Sequence, residues 1–292
     1  MTRKPTIAIV GAGGLATFLA VALNDAGFTI TEIIARDSPR SRRRARSLAA
    51  KVGARTVTAH SAALVATLLW FCVPDREIRG AASALAGYLA AYNKNKVPSK
   101  VRFAFHSSGA LLSRELERLG KVGIAVASVH PLMTFVARTH PSLTGVPFAL
   151  EGDRAATRVA RQIIRELGAD SFSLPAARKA AYHGWATLTS PLLLAFLVTL
   201  EEAARAAGFT GKDARRKSLP IIRQTLANYS RLGPAPSFSG PLVRGDAETV
   251  ASHLAVLKKH PGAREVYVAL ARTALRRFPV KNRDGLSRFL RG

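Results

Sequence analysis

Thr6-Ile-Ala-Ile-Val-Gly-Ala-Gly-Gly-Leu-Ala-Thr-Phe-Leu-Ala-Val-Ala-Leu-Asn-Asp-Ala26 decides how the rest of the chain is read. Ile7 to Val10 make a short apolar run, the pattern of a strand buried on both faces. Gly11, Gly13 and Ala16 then give the spacing G-x-G-x-x-A, and a helical pattern through Leu19 and Leu23 stops at Gly27. Gly11 permits a tight turn, Gly13 lets a pyrophosphate approach the backbone, and Ala16 allows the helix to pack close on the strand. Gly14 and Leu15 open the helix, where free N–H groups favour an anion. A glycine turn that binds nothing has the same letters, but strand and helix on either side favour a dinucleotide site.

A second strand, Phe28–Arg36, ends where the adenosine ribose of such a ligand lies. A carboxylate there suits NAD, whereas arginines and hydroxyls suit the extra phosphate of NADP. The chain offers Arg36, Ser38 and Arg40, followed by Arg42, Arg43 and Arg44. NADP is therefore expected over NAD, although Asp37 stands in the same stretch and most of Arg40–Arg46 reads as a solvated helix face.

Further along, Thr67–Val73 reads as a strand ending in Val73-Pro74-Asp75. Pro74 ends the strand and Asp75 caps a helix over Arg76–Leu89, in a loop that borders the nicotinamide side of a bound cofactor. Tyr92–Lys100 reads as a surface loop. Val101–Phe105 is the next strand and runs into His106-Ser107-Ser108-Gly109, with another helix beyond. The strand Gly123–Val129 ends in His130-Pro131. Two consecutive strands thus carry His106, Ser107, Ser108 and His130 to one sheet edge, where ligands bind in open α/β sheets. An imidazole titrating near neutrality can serve as the proton donor for hydride transfer to C=O or C=N.

Val146–Glu151 is a last strand, and the composition changes after it. Residues 1–152 are expected to form a doubly wound, mostly parallel Rossmann-like domain, and residues 153–292 an all-helical domain. Helices are expected over Ala155–Leu167, Ala176–Gly208, Lys212–Leu232, Ala247–Lys259 and Arg264–Arg277. Phe172–Pro175 is a short strand or linker, and Lys281–Gly292 a frayed tail. Trp185–Leu200 is apolar on most faces, which predicts burial in a domain or dimer core, with Pro191 kinking or breaking the helix.

The 292 residues carry a formal charge of +26, split evenly between residues 1–150 and 151–292. So even an excess suits anionic ligands but specifies no partner. The arginine run lacks the interleaved aromatics of a base-stacking surface, so specific nucleic-acid binding is not expected. Cys72 is the only cysteine, which excludes a disulfide within one chain and fits the cytoplasm. The histidines show no metal-ligand spacing, and no metal is expected. Arg3 and Lys4 imitate the start of a signal peptide, but glycines break the apolar stretch behind them. Pro191–Leu200 is too short to span a bilayer.

Taken in order, Gly11–Ala16, Val73-Pro-Asp75, His106–Leu111, Ser128-Val-His-Pro131, Tyr182-His183, and Ser239-Gly-Pro-Leu-Val-Arg-Gly-Asp246 with His253 resemble an uncharacterised bacterial family. That family joins a Rossmann-like domain to a helical domain of unknown function. It looks related to pyrroline-5-carboxylate reductase, the deazaflavin-dependent NADP reductase and, more distantly, 6-phosphogluconate dehydrogenase. The resemblance implies NADP(H) binding and a helical domain through which a homodimer forms. Ser128–Pro131 also looks like the His-Pro segment of prephenate dehydrogenases, which implies His130 as acid/base and Ser108, or Ser107, as its partner. One departure matters, because Ser190-Pro191 stands where the family tends to have Ser-Asn.

The expectation is an NADP(H)-dependent oxidoreductase acting on a small anionic substrate between the two domains. His130 is the acid/base, Ser107, Ser108 and His106 are orienting groups, and Arg244 is an anion contact, with His183 and His253 as further candidates. The alternative is a nucleotide-binding sensor without catalysis, which the departure at Pro191 favours.

Overall fold

The structure is a computed structural model describing residues 4–94, 99–136 and 142–291. The chain divides into two compact units, Met1–Ala186 and Thr187–Gly292.

The first unit is built on β1 (Ile7–Val10), β2 (Ile30–Ala35), β3 (Arg55–Thr58), β4 (Leu68–Phe71), β5 (Phe103–His106), β6 (Ala125–Pro131), β7 (Pro147–Gly152) and β8 (Asp170–Ser173). They form one sheet in the order β3-β2-β1-β4-β5-β6-β7-β8. All neighbours are parallel except β6 and β7. The strand order reverses between β1 and β4, and the crevice outside the carboxyl ends at such a switch point is where ligands bind.

Strand residues alternate between two cores, as the two-residue repeat requires. Ile7 and Ile9 face Leu19 and Leu23 of α1 (Gly14–Asp25), Leu48 of α2 (Pro39–Val52), and a patch with Ile163. Ala8 and Val10 face Ile78 and Leu85 of α3 (Asp75–Lys94) and Leu119 of the single turn α4 (Glu117–Gly120). Ile163 lies on α5 (Arg154–Glu166), an amphipathic helix that covers the sheet from beyond residue 152. β8 then adds to the edge beside β7.

The expected boundary at 152/153 therefore differs from the compact unit, which extends through α5 and β8 because both bury apolar surface on the sheet. Of the two alternatives for Phe172–Pro175, Phe172 and Ser173 take the short strand, paired in β8. Tyr92 to Lys94, expected in a loop, continue α3; Asn95–Pro98 of that loop lie outside the described residues. The helix expected after Gly109 is a 3-10 turn, Ser113–Leu116, running into the single turn α4.

α6 (Lys179–Thr189) and α7 (Pro191–Arg205) replace the single long helix of the sequence pattern. Pro191 is the first residue of α7, where its missing N–H costs nothing, and Ser190 takes the non-helical break (φ −123°, ψ −73°). By length and composition, Ala176–Arg205 passes for a membrane span, with a mean hydropathy of 1.4. The break at Ser190 leaves two helices of roughly 17 and 23 Å at 1.5 Å per residue, short of a hydrocarbon core of ~30 Å.

The second unit continues with α8 (Gly211–Leu232), the single turns α9 (Pro234–Ser237) and α10 (Pro241–Arg244), α11 (Ala247–Val256), α12 (Pro261–Arg277) and α13 (Arg283–Leu290). Val250, Leu254, Ala271, Leu275, Leu286 and Leu290 form its core. The expected frayed tail is thus largely helical, since Leu286 and Leu290 anchor it; Gly292 lies outside the described residues. No residue of α7 is buried within the chain, and Leu194 and Val198 are more than half exposed, so of the two expected settings, a domain core or a dimer core, the first does not hold.

Candidate functional site

β1 ends at Val10, and Gly11 turns the chain with φ +111°. Its N–H donates to the Ile34 carbonyl at 2.8 Å, and a Cβ here would lie 2.6 Å from the Cys72 carbonyl oxygen. Only glycine fits both demands. Gly13 is extended (φ −83°, ψ −173°), with open space around the position of a Cβ. The first helical bond runs from Thr17 N–H to the Gly13 carbonyl, so the amides of Gly14, Leu15 and Ala16 open the helix without intrahelical acceptors. Ala16 is fully buried under the strand. The turn forms one wall of a pocket of about 580 Å³ that reaches Arg36, Ser38, Arg40, Val73 and Pro74.

Several polar groups of that pocket are already engaged. Arg36 pairs with Glu77 at 3.0 Å and Asp37 with Arg42 at 2.6 Å. The Ser38 hydroxyl accepts from Ser41 N–H and caps α2. Arg40 and Arg44 line the same pocket and have no ion pair among the described residues. Two unspent guanidinium groups beside a glycine turn and a helix start make a site for a polyanion. An open cradle at Gly13 together with these cations fits a phosphorylated dinucleotide.

At the tips of β5 and β6 the serines and histidines form one bonded network. His106 is fully buried; its Nδ1 accepts from Ser108 N–H at 3.2 Å and its Nε2 donates to the Leu112 carbonyl at 2.9 Å. Both ring nitrogens are thus spent on the neutral form, and burial pushes the imidazole down to about 4. Ser107 accepts from the Trp70 indole N–H at 2.9 Å. The Ser108 hydroxyl donates to Asp75 Oδ2 at 2.8 Å and accepts from the N–H groups of Ala110 and Leu111. Asp75 therefore ties β4 to the β5 loop as well as opening α3.

His130 does not meet Ser107 or Ser108 as expected. Its Nδ1 lies 2.7 Å from the hydroxyl of Tyr182, a buried residue of α6. Its Nε2 abuts Gly109, where an added Cβ would lie 2.8 Å from Nε2 and 2.9 Å from Cδ2 of His183. Burial, then the charge of Lys179, pushes His130 down to about 4. The expected imidazole titrating near neutrality is thus replaced by a neutral one, because the site is dry and already positive. The neutral ring can accept from Tyr182 O–H at Nδ1, which places its own proton on Nε2.

Sequence reasoning singled out Tyr182 only as part of the Tyr182-His183 motif, with no role, and missed Lys179. Lys179 is 2% exposed and donates to the Ser128 hydroxyl, which itself donates to the Ser108 carbonyl at 3.1 Å. Burial brings its ammonium down to about 8, while Glu151 and Asp75 partly oppose this. No sequence signal marked Lys179, because the expected helix began at Ala176; the structure makes Lys179 the first residue of α6, where the macrodipole disfavours a cation.

Arg244 and His253 belong to the second unit. Arg244 is spent on Asp246 (2.9 Å from Nε), so Asp246 makes no side-chain cap on α11. His253 Nδ1 lies 3.1 Å from the Tyr267 hydroxyl. Among the described residues no histidine, cysteine and carboxylate cluster could hold a metal.

The architecture, a doubly wound Rossmann-like sheet followed by helices, defines the fold class. Residues 146–274 match the family described as a domain of unknown function, DUF2520. No curated protein matches the sequence. Among solved structures, a candidate NADP oxidoreductase from Bacteroides fragilis, BF3122, is 21% identical over 92% of this chain and 97% of its own, with a TM-score of 0.72. An imine reductase from Myxococcus stipitatus in complex with NADP⁺ is 16% identical over 98% and 100% (TM-score 0.64). A pyrroline-5-carboxylate reductase from Coxiella burnetii is 15% identical over 93% and 98% (TM-score 0.60). The resemblance to that group of reductases holds at the level of the fold.

Proposed function

We propose that this chain is an NADP(H)-dependent oxidoreductase that moves a hydride to or from a C=O or C=N bond of a small anionic substrate. The observation that carries the reading is the open glycine cradle beside the unpaired Arg40 and Arg44. Gly11, Gly13, Gly14, Leu15 and Ala16 would hold the diphosphate, Arg40 and Arg44 the ribose phosphate, and Val73 and Pro74 the nicotinamide side. Fold relatives described with NADP⁺ or as NADP oxidoreductases support the same ligand.

The bound nicotinamide supplies the hydride; the chain's own residues supply orientation and polarity. Neutral His130, held by Tyr182, donates from Nε2 to the heteroatom of the reacting bond. A neutral imidazole fixed as a donor polarises a carbonyl without carrying the proton reservoir. Ser108, His106 and Ser107 hold the strand tips that frame it. His183 abuts the same side of Gly109 as that ring.

Calorimetry with NADPH and NADH tests the cofactor, with NADPH expected to bind more tightly; tighter NADH binding refutes it. His130→Ala is expected to lower turnover by ~10²–10⁴-fold with NADPH binding kept; unchanged turnover removes His130 from the reaction. Ser190-Pro191 favours a second reading, a nucleotide sensor, which would bind NADPH yet oxidise it with no imine, keto acid or aldehyde. A homodimer forming through the exposed apolar faces of α7 and α8, and a cytoplasmic location, complete the proposal.

A further inference from the structure

Lys179 is a buried cation with no carboxylate at ion-pair distance among the described residues. Its one hydrogen bond goes to a neutral hydroxyl, that of Ser128. The nearby acids are engaged elsewhere: Glu151 accepts from the Ser113 N–H and hydroxyl at 2.7 and 2.8 Å, and Asp75 accepts from Ser108 at 2.8 Å. A desolvated ammonium left in this state is costly, and an apolar residue of the same size would pack there at less cost. Groups of this kind concentrate at sites where their charge is used.

The charge bears on His130. Lys179 and Tyr182 stand one turn apart on α6 and hold Ser128 and His130, two residues apart on β6, so the ammonium is fixed beside that ring and opposes a further positive charge on it. A substrate whose reacting bond lies at His130 Nε2 enters the same field.

We propose that the buried Lys179 ammonium makes this a site for carbonyl substrates and excludes protonated imines. The inference rests on the reductase reading and names its substrate class. Hydride from the reduced pyridine nucleotide forms the new C–H bond, and the C=O π pair moves onto oxygen. That oxygen takes a proton from water, which leaves as hydroxide, giving an alcohol and the oxidised nucleotide. The negative charge developing on oxygen is favoured by Lys179; an iminium brought to the same place meets a like charge. Lys179 is thus a specificity-determining residue. Fold relatives described as imine and pyrroline-5-carboxylate reductases make the distinction a sharp one.

The test is calorimetric, with NADP⁺ added to the full chain first and then acetate, standing for the oxyanion, or pyrrolidinium, standing for the iminium. Lys179→Met is expected to weaken acetate and to tighten pyrrolidinium, each by about 10- to 100-fold, the range for a unit charge acting through a partly screened interior. Removing an unpaired buried charge in favour of an apolar isostere is tolerated by folds, so the variant should remain assembled. If it does not, wild-type protein at pH 7 and 9.5 replaces it, since discharging Lys179 should weaken acetate. The groups facing it are Asp75, His106, His130, Glu151, Tyr182 and His183; the comparison is repeated in His183→Gln so that this ring does not contribute.

A change of under about threefold in both probes overturns the proposal, as does failure of the NADP⁺-loaded wild type to bind acetate at all. Absence of heat with NADP⁺ instead overturns the reductase reading, and the two probes on the unloaded protein still judge Lys179. In turnover with NADPH, pyruvate or glyoxylate should be preferred to 2-methyl-1-pyrroline, with Lys179→Met narrowing or reversing the preference.

Discussion

Gly13→Ala separates binding from folding at the turn on which the proposed function rests. Gly13 has φ −83° and ψ −173°, values any L-residue adopts, and nothing lies within 4 Å of a Cβ placed there. The substitution should therefore leave stability within about 1 kcal/mol of wild type, and the stiffer unfolded chain contributes a few tenths in its favour. Its methyl projects into the space through which a diphosphate reaches the backbone. Displacing one charge-assisted contact costs about 1.5–3 kcal/mol, so the NADPH dissociation constant should rise by roughly 10- to 100-fold. Gly11→Ala is the contrasting case. There φ is +111° and the new Cβ would lie 2.6 Å from a backbone oxygen. Backbone strain of about 1–2 kcal/mol and overpacking of about 1–3 kcal/mol together predict a fall in Tm of roughly 5–15 °C. Thermal melts and calorimetry on the two variants suffice. A Gly13→Ala protein that binds NADPH as tightly as wild type, with an unchanged Tm, would show that no phosphate passes this turn.

Arg40→Ala with Arg44→Ala should weaken NADPH by about 10-fold or more while leaving NADH nearly unchanged; equal losses would place both arginines away from the ribose phosphate. His106 and His130 are held near 4 in the fold against 6.5 unfolded. The unfolded chain therefore binds more protons between these values, and stability falls as pH drops from about 6.5 to 4, by up to about 3 kcal/mol per ring. Urea unfolding at pH 7, 5.5 and 4.5 measures this, and a His130→Gln variant with the same slope as wild type would refute the share given to that ring. Leu194→Asp with Val198→Asp should convert a dimer to a monomer in sedimentation; a wild type that sediments as a monomer denies the proposed interface.

Much of the fold was legible because it is local. The run Ile7–Val10, the glycine turn and the apolar spacing of α1 are set by neighbours a few residues apart, and the same holds for the break at Ser190-Pro191. The unit boundary was less so, because α5 and β8 look like the start of a helical region until they are seen covering the sheet. Site residues were legible as a location but not as a mechanism. His106 and His130 do stand at adjacent strand tips, yet one is a buried brace and the other is paired with Tyr182 instead of a serine.

By itself, then, the sequence determined the elements, their alternating burial and the turn suited to a diphosphate, since dihedral preference and side-chain period act over a few residues. Only the tertiary structure decided charge state and partnership. Tyr182 lies 52 residues from His130, and Lys179 lies 51 from Ser128. Each pair meets because α6 returns to the tips of the sheet, and the removal of water there, not residue type, leaves the imidazole neutral and the ammonium unpaired.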